Sequence, residues 1–148
     1  MPNSSSVAFL LVRLGFGVFI LVWGLNKLIN PTHTQAIFEN FYYVSDLSSQ
    51  LGMLLGILQV GVALLIISAL YKTFAYGLGV AIHGTSTIAT APHLLLPFAD
   101  GSNLLFMAGL PVLLSAIGLF VARDADTLLS LDAHFGRCRI GAYSRQSS

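Results

Sequence analysis

The stretch VAFLLVRLGFGVFILVWGLNKLI, residues 7–29, decides how this chain is read. A helix needs about 20 apolar residues to cross a bilayer core of roughly 30 Å, and this run is long enough. Within it Arg13, Gly17, Ile20, Gly24 and Lys27 recur at helical spacing. One narrow face therefore collects the small and charged residues, and the remainder is Leu, Val, Phe and Ile. The preceding MPNSSS lacks the basic segment of a signal peptide, and no small-residue cleavage site follows the run. The run therefore reads as a retained helix.

Three further apolar runs follow, at 51–71, 74–91 and 104–122, of which 74–91 is the shortest and most polar. Across 148 residues the chain is 55% hydrophobic and 9% charged, with a mean hydropathy of +0.81. A soluble domain carries about 25% charged residues. The expected architecture is an all-α, integral membrane four-helix bundle over residues 7–123. An N-terminal tail, 1–6, precedes it and a cytoplasmic C-terminal segment, 124–148, follows. A net charge of +1 supplies no basic field for nucleic acid. The single cysteine, Cys138, excludes an internal disulfide, a Cys-x-x-Cys redox pair and a cysteine-rich metal site.

Four spans place both termini on one side. That side collects Arg13, Lys72, Arg123, Arg137, Arg139 and Arg145, and the other has Lys27 with Glu39, Asp46 and Asp100. The positive-inside rule puts both termini in the cytoplasm. YKTF, at 71–74, is a link so short that the second and third helices must form an antiparallel hairpin. TQAIFENFYYV, at 34–44, has an apolar, aromatic side suited to a short helix on the outer interface. PHLLLPFADGSN, at 92–103, reads as a proline-bounded turn. Beyond residue 123, Leu128, Leu131 and Phe135 would share one face of a short helix stopped by Gly136, with a basic tail able to touch anionic lipid. A loosely ordered end is the plainer alternative.

Lipid gives helices no hydrophobic reason to associate, so small residues that permit close approach do much of that work. Such faces are Gly52, Gly56, Gln59 and Ala63 on the second run, and Gly79, His83, Ser86, Thr87 and Thr90 on the third. On the fourth they are Ala108, Pro111, Ser115 and Gly118. At 1.5 Å per residue, His83 and Gln59 both lie about 12–15 Å from a helix end, near mid-membrane. A polar column is expected, with His83 and Gln59 at the centre, then Thr87 and Thr90, then Asn26, Lys27 and Glu39 at the mouth. Groups at such depth are costly and face inward to find partners. Two readings of His83 and Gln59 stand side by side: a hydrogen bond across the hairpin, or the wall of a ligand, quinone or proton site. Arg13 reads as an interfacial anchor reaching cytoplasmic phosphate, or as part of that site. Lys27 reads as an anchor or as the partner of Glu39. No metal site is expected, because His33 and His93 have no second ligand nearby in sequence.

LLVRLGFGVFILVWGLNKLINP, with Arg, Leu-x-x-Gly and Gly-x-x-Lys-Leu before Asn-Pro, resembles the opening of the DoxX family. LGMLLGILQVGVALLIISALYKTFAYGLGV resembles its second helix, glycine-rich hairpin and third helix, so the likeness spans about residues 8 to 122. The resemblance implies a multi-pass protein of the bacterial cytoplasmic membrane, in a family associated with membrane redox systems such as thiosulfate:quinone oxidoreductase. Arg13, Gly24 and Lys27 match the first-helix motif. Family members often carry Glu where this chain has Gln59, a departure that removes a titratable group from mid-membrane. Relatives that work by paired cysteines are no guide to a chain with one.

Three functions follow as expectations. The first is an accessory subunit of a membrane-bound oxidoreductase, with no intrinsic cofactor and a bound quinone or lipid, and with a membrane-protein partner. The second is a stand-alone binder or carrier of a small solute or lipid, working as a homo-oligomer because one four-helix unit is small for alternating access. The third, an enzyme in its own right, lacks a nucleophile–base pair, paired carboxylates in one span or a metal cluster in the sequence.

Overall fold

A computed structural model describes residues 3–100 and 104–136, and these are helical with connecting turns. α1 (Ser4–Ile29) is capped by the Asn3 side chain, which accepts from Ser6 N–H. α2 (Pro31–Tyr42) starts on a proline whose missing N–H costs nothing at a helix start. α3 (Ser49–Ser68) is capped by Ser48, whose hydroxyl accepts from Leu51 N–H. α4 (Lys72–Ala89) and the short α5 (Ala91–Leu95) follow. A 3-10 turn, Leu104–Ala108, leads into α6 (Gly109–Val121), and a single turn, α7 (Leu131–His134), closes the described chain. The proline-bounded 92–103 connection thus contains helical turn in α5; its residues 101–103 lie outside the described residues.

Three helical stretches are long and apolar enough to cross a membrane: Ser4–Ile29, Ser49–Ser68 and Leu104–Val121. α4 has 18 residues, but Lys72, Tyr76, His83 and its hydroxyl run dilute its apolar character. Those polar groups are buried against neighbouring helices at Lys72, Tyr76, His83 and Thr87, whereas Phe74 and Ile88 face outward. α1 packs along α3 and against α6, and α4 packs along α6 and against α3. The core is Phe16, Ile20, Val62, Ala63, Ile66, Ala75, Tyr76, Ala116 and Leu119.

Glycines let α1 and α3 approach. A Cβ on Gly24 would stand 3.0 Å from the Val60 backbone nitrogen, and one on Gly56 would stand 3.1 Å from Gly24 O. The inward faces expected on α1 and α3 are buried at Arg13, Gly17, Ile20 and Gly24, and at Gly52, Gly56, Gln59 and Ala63. On α6 the expectation fails. Pro111, Ser115 and Gly118 are exposed, and Ala116 and Leu119 are buried instead. Small size alone does not mark an inward face, because a lone serine or glycine is tolerated toward lipid; packing against α1 and α4 selects the Val112–Ala116–Leu119 stripe.

The link between α3 and α4 is as tight as expected. Ala69 and Tyr71 both adopt left-handed backbone, at φ 50°. The α4 N-terminus is capped from far away: the Asp132 carboxylate accepts from Tyr71 N–H at 3.0 Å and Lys72 N–H at 2.9 Å. The helix expected over 128–135 shrinks to α7, because Leu129 turns left-handed at φ 50° and Ser130 starts a new cap on Ala133 N–H. Gly136, at φ 66°, ends it as expected. The basic tail and Cys138 lie outside the described residues.

Candidate functional site

Mid-depth polar groups of the helices find partners on different neighbours. Gln59 Nε2 donates to Ile20 O at 3.0 Å, tying α3 to α1. His83 Nε2 lies 2.9 Å from Gly109 O, tying α4 to α6. The expected His83–Gln59 bond across the hairpin is therefore replaced by two bonds that run elsewhere. A carbonyl only accepts, so His83 carries its proton on Nε2. The edge of Phe19 meets the His83 ring at 5.0 Å and Phe16 lies at 6.5 Å. Thr87 and Thr90 return their hydroxyls to their own helix, at His83 O and Ser86 O, a common resting place for hydroxyls with no better acceptor.

At the far end Asn26 Nδ2 lies 2.9 Å from His33 Nδ1, and Lys27 Nζ reaches Trp23 O at 3.5 Å. Glu39 is exposed on α2, and the expected Lys27–Glu39 pair does not form. Tyr42 OH lies 2.8 Å from Ser86 Oγ, joining α2 to α4. His93 stacks on Phe106 with centroids 4.6 Å apart and meets Phe41 at 5.7 Å, closing this end over α2, α5 and the 3-10 turn. Sequence spacing could not have found this cluster, whose members come from three separate elements.

The largest departure from expectation is at Arg13. Its side chain is 1% exposed and pairs with Asp126, itself 0% exposed, at 2.9 Å. Its second terminal nitrogen donates to Leu128 O at 3.0 Å and Leu129 O at 3.1 Å. Tyr76 OH donates to the other Asp126 oxygen at 2.5 Å. Lys72 Nζ donates to Arg123 O at 2.8 Å and Asp126 O at 2.9 Å. Ser130 Oγ and Asp132 N–H both donate to Ala69 O. Arg13 is thus no anchor reaching phosphate but the centre of a buried lock that seats residues 122–136 on the helix ends. Removing one partner of such a pair costs about 3–5 kcal/mol, because the other charge stays buried alone. Asp126 and Tyr76 drew no notice in the sequence: each is an ordinary residue until the fold sets it beside Arg13.

Between α1 and α6 lies an open groove of about 350 Å³ lined by Leu11, Gly15, Phe16, Phe19, Pro111 and Ser115, among others. Gly15 has nothing within 4 Å of where a Cβ would stand, so the groove is open there. Phe16 and Phe19 line it and also lie against His83, which is not itself a lining residue. Among the described residues no group of three His, Cys, Asp or Glu side chains is placed to hold a metal. Comparison with family models, curated proteins and solved structures returns no match for this chain.

Proposed function

We propose that this chain crosses the bacterial cytoplasmic membrane four times, with both termini in the cytoplasm, and serves as a non-catalytic subunit of a membrane-bound oxidoreductase. Its α1–α6 groove takes the apolar tail of a quinone or lipid. Several observations support the reading. Three helices suit a membrane by length and composition, and α4 turns Lys72, Tyr76, His83 and Thr87 toward its neighbours and apolar Phe74 and Ile88 outward. The resemblance of the first helix and the hairpin to the DoxX family supports the redox association.

The groove carries the proposal. The mid-depth polar groups Gln59 and His83 are engaged in interhelical bonds to backbone carbonyls, whereas the groove is apolar and open. Purification from native membranes in mild detergent, followed by solvent extraction and protein identification, tests it. A co-purifying redox subunit and a retained quinone or lipid are expected. Gly15→Leu starts from a Cβ with nothing within 4 Å, extends a side chain into the groove and should abolish retention while the protein still folds. A clean homo-oligomer with no redox partner and no retained apolar molecule sinks the proposal.

The second reading, a solute or lipid binder or carrier working as an oligomer, draws on Asn26, His33 and Lys27 gathered at one end. It requires His83→Ala and Gln59→Ala to impair binding or uptake. Unchanged binding by both variants rules it out.

A further inference from the structure

Residues 122–136 are built inside out. Three of their polar side chains point into the protein: Asp126, Ser130 and Asp132 are buried. Most of their large apolar side chains point away from it: Leu129 is 76% exposed, Phe135 60% and Leu131 38%, and Leu128 is half-buried. A segment resting in water has the opposite arrangement, with leucines covered and carboxylates solvated. Leu129 also holds a left-handed backbone, unfavourable for a branched residue, which keeps its side chain outward and its carbonyl on Arg13.

The depth of this segment follows from Arg13. The residue lies about nine positions into α1, or roughly 13 Å along its axis. Asp126, Leu128 O and Leu129 O are all bonded to it, so the segment sits beside α1 at that level. α1 continues past that level through the apolar residues 7–12, of which Val7, Leu11 and Val12 are exposed. If the bilayer ended at Arg13, those residues would stand in water. If the bilayer covers them, the 122–136 segment stands within the same leaflet. Exposed Asp124, Thr127 and His134 then mark the side that meets headgroups and water.

We propose that residues 122–135 form an inside-out cap embedded in the leaflet on the side of the chain termini, with Leu129 and Leu131 against lipid acyl chains and the Arg13–Asp126–Tyr76–Lys72 network sealed behind them. The partner of this surface is the bilayer itself. The cap completes the leaflet at the ends of α3, α4 and α6, where those helices stop short of the far end of α1. It explains why charged groups lie inside: on the lipid side they would be unsatisfied. The proposal rests on the membrane-spanning reading and is independent of the redox association.

The experiment uses the full chain with Cys138→Ser, reconstituted into phosphatidylethanolamine–phosphatidylglycerol vesicles. A nitroxide is attached at Leu129→Cys or Leu131→Cys, with Leu11→Cys as the lipid reference and Asp124→Cys as the water reference. Collision rates with oxygen and with a water-soluble nickel chelate are read for each. Leu129 and Leu131 are expected to match Leu11, with high oxygen and low nickel collision. High nickel collision at both, as at Asp124, overturns the proposal in favour of a solvated tail. Low collision with both reagents overturns it in favour of a protein partner, and disagreement between the two sites overturns a single lipid-facing side. If Leu11 itself reports water, the membrane-spanning reading fails as well. Retained helical circular dichroism is required of each labelled protein, and a Leu129→Cys variant that unfolds leaves Leu131→Cys to decide.

Discussion

At the scale of single residues, the fold separates charges that stabilise from polar groups that merely find partners. Arg13 and Asp126 are both fully buried, so each needs the other. Arg13→Ala or Asp126→Ala should lower unfolding stability by about 3–5 kcal/mol, whereas Arg13→Met combined with Asp126→Leu should cost much less, since no lone charge remains. Denaturant titration in detergent followed by circular dichroism reads both. Equal losses in single and double variants would show that the pair is not the lock. Gln59 is a lesser matter. Interhelical polar bonds in membranes average about 0.6 kcal/mol, so Gln59→Leu should be nearly silent in the same titration, and a loss near that of Arg13→Ala would contradict its role as a simple tie to Ile20 O.

At the scale of elements, contact between α1 and α3 depends on where glycines face. A Cβ on Gly24 meets Val60 backbone at 3.0 Å, whereas Gly118 on α6 faces open space. Gly24→Ala must push two backbones apart and should cost about 1–3 kcal/mol. Gly118→Ala should be neutral or stabilising, within about 1 kcal/mol, because alanine is the better helix former. Thermal unfolding of the two variants in one detergent makes the comparison, and a reversed order would mean that α6 rather than α1–α3 forms the tight contact. Glycines in the sequence look alike. Those of α1 and α3 were legible because they repeat in register with other small residues on both partners, while Ser115 and Gly118 form an equally regular pattern that faces outward.

At the scale of the whole molecule, the number of spans decides which side each end occupies. With α4 spanning, Ser4 and Asp124 share one side and Asp46 lies on the other; without it, Ser4 and Asp124 part. Ser4→Cys, Asp46→Cys and Asp124→Cys, each with Cys138→Ser, can be probed in intact cells with a membrane-impermeant thiol reagent. Asp46→Cys should label at once, and the other two only after permeabilisation. Labelling of Asp124→Cys in intact cells with Ser4→Cys protected would leave three spans. The distribution of basic residues predicts the four-span outcome, since Arg13, Lys72 and Arg123 gather at one end of the folded chain.

The class of solvent and the local elements were legible from the order of residues alone. Long apolar runs, the short 71–74 link and the Gly136 stop all act through near neighbours. Burial of His83 and Gln59 was legible for the same reason, because polar groups at depth must face protein, whereas Arg13 near a helix end read equally as an anchor reaching phosphate. Which partner each one meets was decided only by tertiary structure. Gln59 reaches α1, His83 reaches α6, and Arg13 reaches a carboxylate 113 positions away. Helical periodicity states the face a residue occupies, but not the rotation and depth at which helices dock. In a lipid-facing protein the usual rule of polar outside and apolar inside cannot supply the missing information, so the inside-out segment after α6 became visible only when Asp126 was found beneath Arg13.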